Sequence, residues 1–203
     1  MAAMGGALTL PLIRSVIAAK VASPVPLRNQ ISAFVSVISG VPALLSVEAE
    51  DTASHVVLVP VAYCAVTDRL VQVESRLTDT QAVLWRRKLT RFHEFSFTIL
   101  VVSLADDTPT YETQDRTYAR PYLPDACRPF VMPIVAASLR ALVAHVRPWL
   151  IYRVTKSRNP PEKALRKDLF LTRTLEDEGY AVVETGSDPW DRRFWILSRA
   201  LTG

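Results

Sequence analysis

The sequence predicts an α/β protein of the α+β type, with a single mixed, mostly antiparallel sheet and three to four helices. Hydrophobic residues make up 49% of the 203 residues and charged residues 22%, which is a globular balance. Short Val- and Leu-rich runs separated by turn residues indicate strands. Other apolar residues recur at helical spacing, with Pro and Gly at the ends of these segments.

The first 30 residues are predicted to form an amphipathic helix and a linker that contains proline. The apolar residues at helical spacing are Leu12, Ile13, Val16, Ile17 and Val21. The first acidic residue is Glu48, so a targeting segment for an organelle stays open as an alternative. Residues 31–203 are predicted to form one α/β domain.

A β-meander is predicted next in the chain. Its strands are Ile31 to Ile38, Ala43 to Val47, Val56 to Val66 and Leu70 to Glu74. Residues 67–69 are predicted to form a tight hairpin turn.

A helix is predicted to begin at Thr78, because Thr78 and Gln81 have the spacing of a capping box. Its predicted buried stripe consists of Ala82, Trp85, Leu89 and Phe92. A buried strand is predicted from Phe97 to Leu104. The polar, proline-containing connection over residues 106–129 is predicted to be the active or binding loop.

The last third is predicted to alternate strands and helices. A helix over residues 131–146 should end before Pro148, and a strand should follow over residues 149–154. The sequence Asn-Pro-Pro-Glu at 159–162 has an N-cap residue followed by proline at the first helical position. Gly179 is expected to end that helix, and a hairpin of Tyr180 to Glu184 with Arg193 to Leu197 closes the chain.

Glycine and histidine positions argue against several kinds of chemistry. None of the glycines lies between Gly40 and Gly179, so the chain lacks a Walker A loop, a dinucleotide fingerprint and a nucleophile elbow. The histidines His55, His93 and His145 are isolated in the sequence, and no metal is expected.

The cysteines indicate a reducing compartment, and a cytoplasmic location is predicted. Cys64 and Cys127 lack the spacing of a disulfide framework. Cys127 precedes Arg128 and a predicted helix start, which leaves a reactive thiol open as an alternative. No run of 18 apolar residues occurs, so no membrane-spanning segment is expected.

Two acidic sets are weaker candidates for chemistry. Asp106, Asp107 and Glu112 follow a predicted strand and are candidates for a cofactor, substrate or magnesium site, although a solvated loop has the same composition. Asp68, Glu74 and Arg76 would serve a metal-dependent nuclease, but a surface hairpin with alternating polar residues is the stronger account of them.

Basic residues are the strongest positive feature of the sequence. The net charge is +4, and the excess is concentrated in a predicted polyanion-binding set, namely Arg153, Lys156, Arg158, Lys163, Arg166 and Lys167. Basic residues also alternate with Trp85, Trp149, Trp190 and Trp195, which are either core residues or surfaces for base stacking. The leading hypothesis is a non-catalytic protein that binds nucleic acid or a phosphorylated ligand. A protein-interaction subunit is an alternative.

Residues 97–199 also resemble the carboxy-terminal half of the GNAT acyltransferase superfamily. The resemblance lies in Leu175-Glu176-Asp177-Glu178-Gly179-Tyr180 before a hairpin that contains Arg193-Phe194-Trp195. It implies a divergent acyltransferase that uses acetyl-CoA or another acyl-CoA. The family's glycine-containing cofactor loop is replaced by residues 127–133, so Arg128 and the following helix start would have to receive the phosphates.

Overall fold

The computed structural model describes residues 34–83, 89–113, 116–155, 158, 160 and 162–200. These residues form one mixed, mostly antiparallel sheet of nine strands and three α-helices, which confirms the predicted fold class. The strands are β1 (Phe34–Ser36), β2 (Glu48–Ala49), β3 (Ser54–Cys64), β4 (Arg69–Val83), β5 (Leu89–Ser103), β6 (Thr108–Thr113), β7 (Leu150–Val154), β8 (Tyr180–Ser187) and β9 (Arg193–Arg199). The helices are α1 (Arg116–Ala119), α2 (Arg128–Val146) and α3 (Arg166–Asp177), with 3-10 turns at Arg120–Tyr122 and Glu162–Leu165.

The strand order in the sheet is β1-β3-β4-β5-β7-β9-β8, with β2 also paired to β3 and β6 to β5. Strands β5 and β7 are parallel and pair at His93 with Ile151 and at Glu94 with Tyr152. A parallel pair needs a crossover connection, and α2 is part of the crossover here. Strand β7 then pairs antiparallel with β9, and β9 with β8.

The described residues form two compact units. The first unit contains the described residues up to Ser46 together with Leu58–Val73 and Thr98–Val131, and the second contains Val47–Val57, Glu74–Phe97 and the described residues from Met132 onward. In the first unit Leu70 and Leu104 are buried together. The second unit has a buried cluster of Phe92, Leu150, Tyr152 and Ile196.

The helix predicted from Thr78 is wrong. Strand β4 runs through Thr78 to Val83, and β5 begins at Leu89. Between Val71 and Leu77 every second residue is buried, which is the period of a strand. Across the two strands, Arg91 Nε donates a hydrogen bond of 2.9 Å to Asp79 Oδ1. Residues 84–88, and with them Trp85, lie outside the described residues.

Three further predictions need correction. Residues 43–47 form no strand. The connection over 106–129 is not an irregular loop, since it contains β6 and α1. The last α-helix begins at Arg166 rather than just after residue 159, because a 3-10 turn takes up Glu162–Leu165. Side chains at i and i+3 eclipse in a 3-10 turn, which keeps such turns short. Short 3-10 turns are frequent at the ends of α-helices.

Local signals in the last third are confirmed. Helix α2 buries Val135, Leu139, Leu142 and Val143 as predicted, but it begins at Arg128 rather than at residue 131, so that Pro133 lies in its second turn instead of its first. Gly179 has a φ of 83° just after α3, as a helix-ending glycine requires. In the described part of the chain, α2 alone is long and apolar enough to cross a membrane, by length and composition only. The predicted helix over residues 1–30 lies outside the described residues.

Candidate polyanion-binding surface at the carboxyl end of strand β7

Arg153 lies inside the second unit rather than on its surface, since only 4% of the residue is exposed. Its Nη2 donates to Asp168 Oδ1 at 3.0 Å and its Nη1 to the backbone oxygen of Asp168 at 2.9 Å. The guanidinium carbon lies 5.9 Å from the centre of the Phe95 ring. Arg153 is therefore not available to a ligand at the surface, and it joins α3 to β7 instead.

Burial acts against both charges of this pair. It lowers the pKa of Arg153 to about 10, although Asp168 opposes the change. It also raises the pKa of Asp168, although Arg153 and Lys167 oppose that change. The pair joins β7 to α3 and so fixes the position of the helix, and a buried ion pair is by itself weak evidence for added stability.

Three other members of the predicted basic set are exposed, namely Arg158, Arg166 and Lys167. Lys156 and the side chain of Lys163 lie outside the described residues. Lys167 Nζ is 5.7 Å from the centre of the Phe97 ring. Arg166 and Lys167 occupy the first turn of α3, where cations add to the positive end of the helix dipole. This placement disfavours the helix and strengthens the outward positive field, as expected for a site that attracts anions.

The turn between β8 and β9 lies at the same end of β7 as these cations. The Thr155 amide donates to the Arg193 carbonyl at 2.8 Å, and the Arg193 amide donates to Thr155 Oγ1 at 3.0 Å. Thr155 directly follows β7 and begins the connection to Arg158 and α3. The exposed cation Arg193 is thereby joined to the segment that leads to Arg158, although the two are distant in sequence.

Trp190 is held in this turn and is 56% exposed. Asp188 Oδ1 accepts hydrogen bonds from the Trp190 and Arg192 amides, each 2.9 Å long. Asp188 Oδ2 lies 2.7 Å from Arg192 Nη2, and the Arg192 guanidinium carbon is 5.1 Å from the centre of the Trp190 ring. Burial works to raise the pKa of Asp188, but the hydrogen bonds from Arg192 and Trp190 outweigh it and lower that pKa. The turn is thus ordered around an ionised carboxylate.

We call the exposed residues at this end of the second unit the strand-end surface, and they are Arg158, Arg166, Lys167, Trp190 and Arg193. The exposed carboxylates in the same segments are Glu162 and Asp191. Arg192 is balanced by Asp188, so four cations face two carboxylates and the surface is positive.

The other tryptophans have different surroundings. Trp149 is 53% exposed but precedes β7, at the opposite end of that strand. Trp195 is buried at 8% exposure and pairs with Arg153 in the sheet. Only Trp190 among the described tryptophans combines exposure with a place on the strand-end surface.

The acidic residues predicted for a cofactor or substrate loop are exposed and lie in the β5–β6 hairpin. Asp106 and Asp107 lie in the turn between β5 and β6, and hydrogen bonds from the Ser103 and Thr108 side chains lower the pKa of Asp106. Glu112 lies in β6, where its Oε1 is 3.4 Å from Thr98 Oγ1. Contacts within the hairpin thus involve Asp106 and Glu112.

The start of α2 does not fit the phosphates of an acyl-CoA. Arg128 Nε donates to the Leu123 carbonyl at 2.7 Å, its Nη2 donates to the Arg120 carbonyl at 3.1 Å, and its Nη1 pairs with Asp125. The Arg128 amide already donates to a preceding carbonyl, as does that of residue 130, and residue 129 is a proline. A phosphate would therefore find neither a free guanidinium nor free amides at these three positions.

Cys127 is buried at this helix start, and it is poorly suited to nucleophilic chemistry. Burial raises the pKa of its thiol to about 11, although Arg128 opposes this change. The thiol is then neutral at physiological pH, and the thiolate is the nucleophile.

Two clusters were not foreseen from the sequence. The rings of His55 and His145 lie 5.4 Å apart, and His93 interacts electrostatically with His55, so the histidines are not isolated in space. Within the described ranges, no group of three or more His, Cys, Asp or Glu residues could hold a metal ion. Burial also raises the pKa of Glu94, against the effect of Arg192. Sequence spacing carries no signal for the histidine cluster, whose members lie on β3, β5 and α2, or for the pair of Glu94 in β5 and Arg192 in the β8–β9 turn.

No protein family, curated protein or solved structure matches this chain.

Proposed function

We propose that this protein is a non-catalytic binding protein that recognises nucleic acid or another polyanion through the strand-end surface. The observation that carries the proposal is the pair of hydrogen bonds between Thr155 and Arg193. These bonds place Thr155, which begins the connection to Arg158 and α3, beside the exposed cation Arg193 of the β8–β9 hairpin. A polyanion that contacts both segments releases condensed counterions, which supplies sequence-independent affinity.

The test is the salt dependence of binding by the full chain. With about four phosphate contacts, the affinity for a single strand should fall about fiftyfold between about 50 and 200 mM salt. The triple variant Arg158→Glu, Arg166→Glu, Lys167→Glu should bind weakly at the lower salt concentration. Arg199→Glu is the matched control, because Arg199 is exposed at the opposite end of β9. Binding that ignores salt, or that survives the triple substitution, would contradict the proposal.

A divergent acyltransferase is a second candidate. The succession of β7, α3, β8 and β9, with Gly179 between α3 and β8, is the observation that favours it. The contacts of Arg128 argue against acyl-CoA binding at the start of α2. Thermal-shift titration with acetyl-CoA separates the two candidates, since a ligand of the folded state raises the melting temperature. No shift at millimolar acetyl-CoA would count against the acyltransferase.

A further inference from the structure

We infer that the strand-end surface selects single-stranded nucleic acid and that a base stacks on the exposed ring of Trp190. This inference rests on the proposed function and names the class of polyanion. It rests on Trp190, the one large aromatic side chain of the strand-end surface. A surface that bound polyanions by charge alone would not need this side chain.

Trp190 is presented to solvent in a fixed arrangement. It is 56% exposed, although an indole ring gains free energy when it is covered. Arg192 lies over the ring, and Asp188 holds both Arg192 and the Trp190 amide. The ring is therefore oriented before any ligand arrives, and little side-chain entropy is lost when a base is added.

A base that stacks on Trp190 has to be unpaired or splayed out. In a duplex each base is stacked between its neighbours, and a protein reaches only the base edges and the backbone. In a single strand the faces of the bases are accessible, and stacking on an aromatic side chain is worth about 1–3 kcal/mol per base. An exposed tryptophan among cations therefore favours a single strand over a duplex.

Cations both precede and follow the β8–β9 turn in the sequence. Arg193 directly follows the turn, and Arg158 lies three residues beyond Thr155, which is hydrogen bonded to Arg193. Phosphates that flank a stacked base need cations near the aromatic ring on a groove or surface that tracks the backbone. A polyanion without bases, such as heparin, would use the same cations and leave Trp190 uncovered.

The experiment measures fluorescence anisotropy of the full chain with three probes: a labelled oligothymidine of about 20 nucleotides, a duplex of equal length, and labelled heparin. The oligothymidine should bind more tightly than the duplex at the same salt concentration. Trp190→Ala should weaken oligothymidine binding at least about fivefold and leave heparin binding unchanged. Trp190→Phe should keep most of the affinity, because phenylalanine also stacks.

The matched control is Trp149→Ala, which removes an equally exposed tryptophan from the opposite end of β7 and should not change binding. The unfolding temperature of each variant shows that the fold is intact. If oligothymidine and heparin both bind and Trp190→Ala has no effect, or if the duplex binds as tightly, the inference is wrong and the proposed function stands. If none of the three probes binds, both the inference and the proposed function are wrong.

Discussion

Arg153 of strand β7 and Asp168 of helix α3 form a buried ion pair, with 3.0 Å between Nη2 and Oδ1. Arg153 Nε is also buried, and it has no hydrogen-bond partner among the described residues. One hydrogen-bond donor of the pair is thus left without an acceptor. The pair holds α3 in place, although burying its charges costs free energy of solvation. The exposed cations Arg166 and Lys167 directly precede Asp168, so this buried pair positions them.

Removal of one partner should destabilise the protein strongly. Arg153→Met leaves the Asp168 carboxylate buried without its cation, and we expect a loss of about 3–5 kcal/mol in the free energy of unfolding. Urea denaturation measures this loss in the free energy of unfolding. The double variant Arg153→Met, Asp168→Leu should recover most of the loss, since no charge then remains buried. A single variant that loses less than about 1 kcal/mol would show that water reaches Asp168 freely.

His93 should make the protein less stable in mild acid. Burial lowers its pKa from 6.5, Arg91 and His55 add to this effect, and Asp79 opposes it. Below pH 6.5 the unfolded chain then binds more protons than the folded protein, so the free energy of unfolding falls as the pH decreases through that value.

The measurement is urea denaturation at several pH values between about 7.5 and 5.5. His93→Gln cannot be protonated in this range and should show a smaller decrease. Equal pH dependence in the wild type and the variant would mean that His93 keeps its ordinary pKa when folded.

The sequence predicts those features of the fold that local residues determine. Gly179 ends α3 because its own φ is 83°, and the apolar spacing of α2 identifies its buried face without any partner. The capping-box pattern at Thr78 fails, because the pairing of β4 with β5 outweighs local preference. The Asp79–Arg91 contact shows this pairing, and no local pattern contains it.

The candidate site was predictable only in part. The basic excess near Arg158 is visible in composition, but the burial of Arg153 is not, because it depends on α3 packing against β7. The hydrogen bond between Thr155 and Arg193 joins residues 38 apart in sequence. Such long-range contacts determine which charges share a surface. They cannot be inferred from the spacing of residues in a single sequence.

Substitution of Gly179 should destabilise the protein because of its backbone conformation alone. A Cβ at this position would meet nothing within 4 Å, but the φ of 83° is unfavourable for any L side chain. Gly179→Ala should therefore cost about 1–2 kcal/mol in the free energy of unfolding. Gly40→Ala is the matched control: its surroundings are equally open and its φ is not positive, so it should be nearly neutral. Equal effects of the two substitutions would contradict this account.

The orientation of the Trp190 ring should depend on pH, because ionised Asp188 holds the turn that contains it. The pKa of Asp188 is lowered below 3.8, so its contribution to stability is complete above pH 3.8 and is lost as the pH falls through the lower folded-state value. The indole N–H resonance of Trp190 should stay constant from neutral pH to about pH 4 and shift below it. Asp188→Asn cannot form an ion pair with Arg192, and it should shift this resonance at neutral pH. An unchanged resonance in the variant would mean that Asp188 does not hold the Trp190 ring.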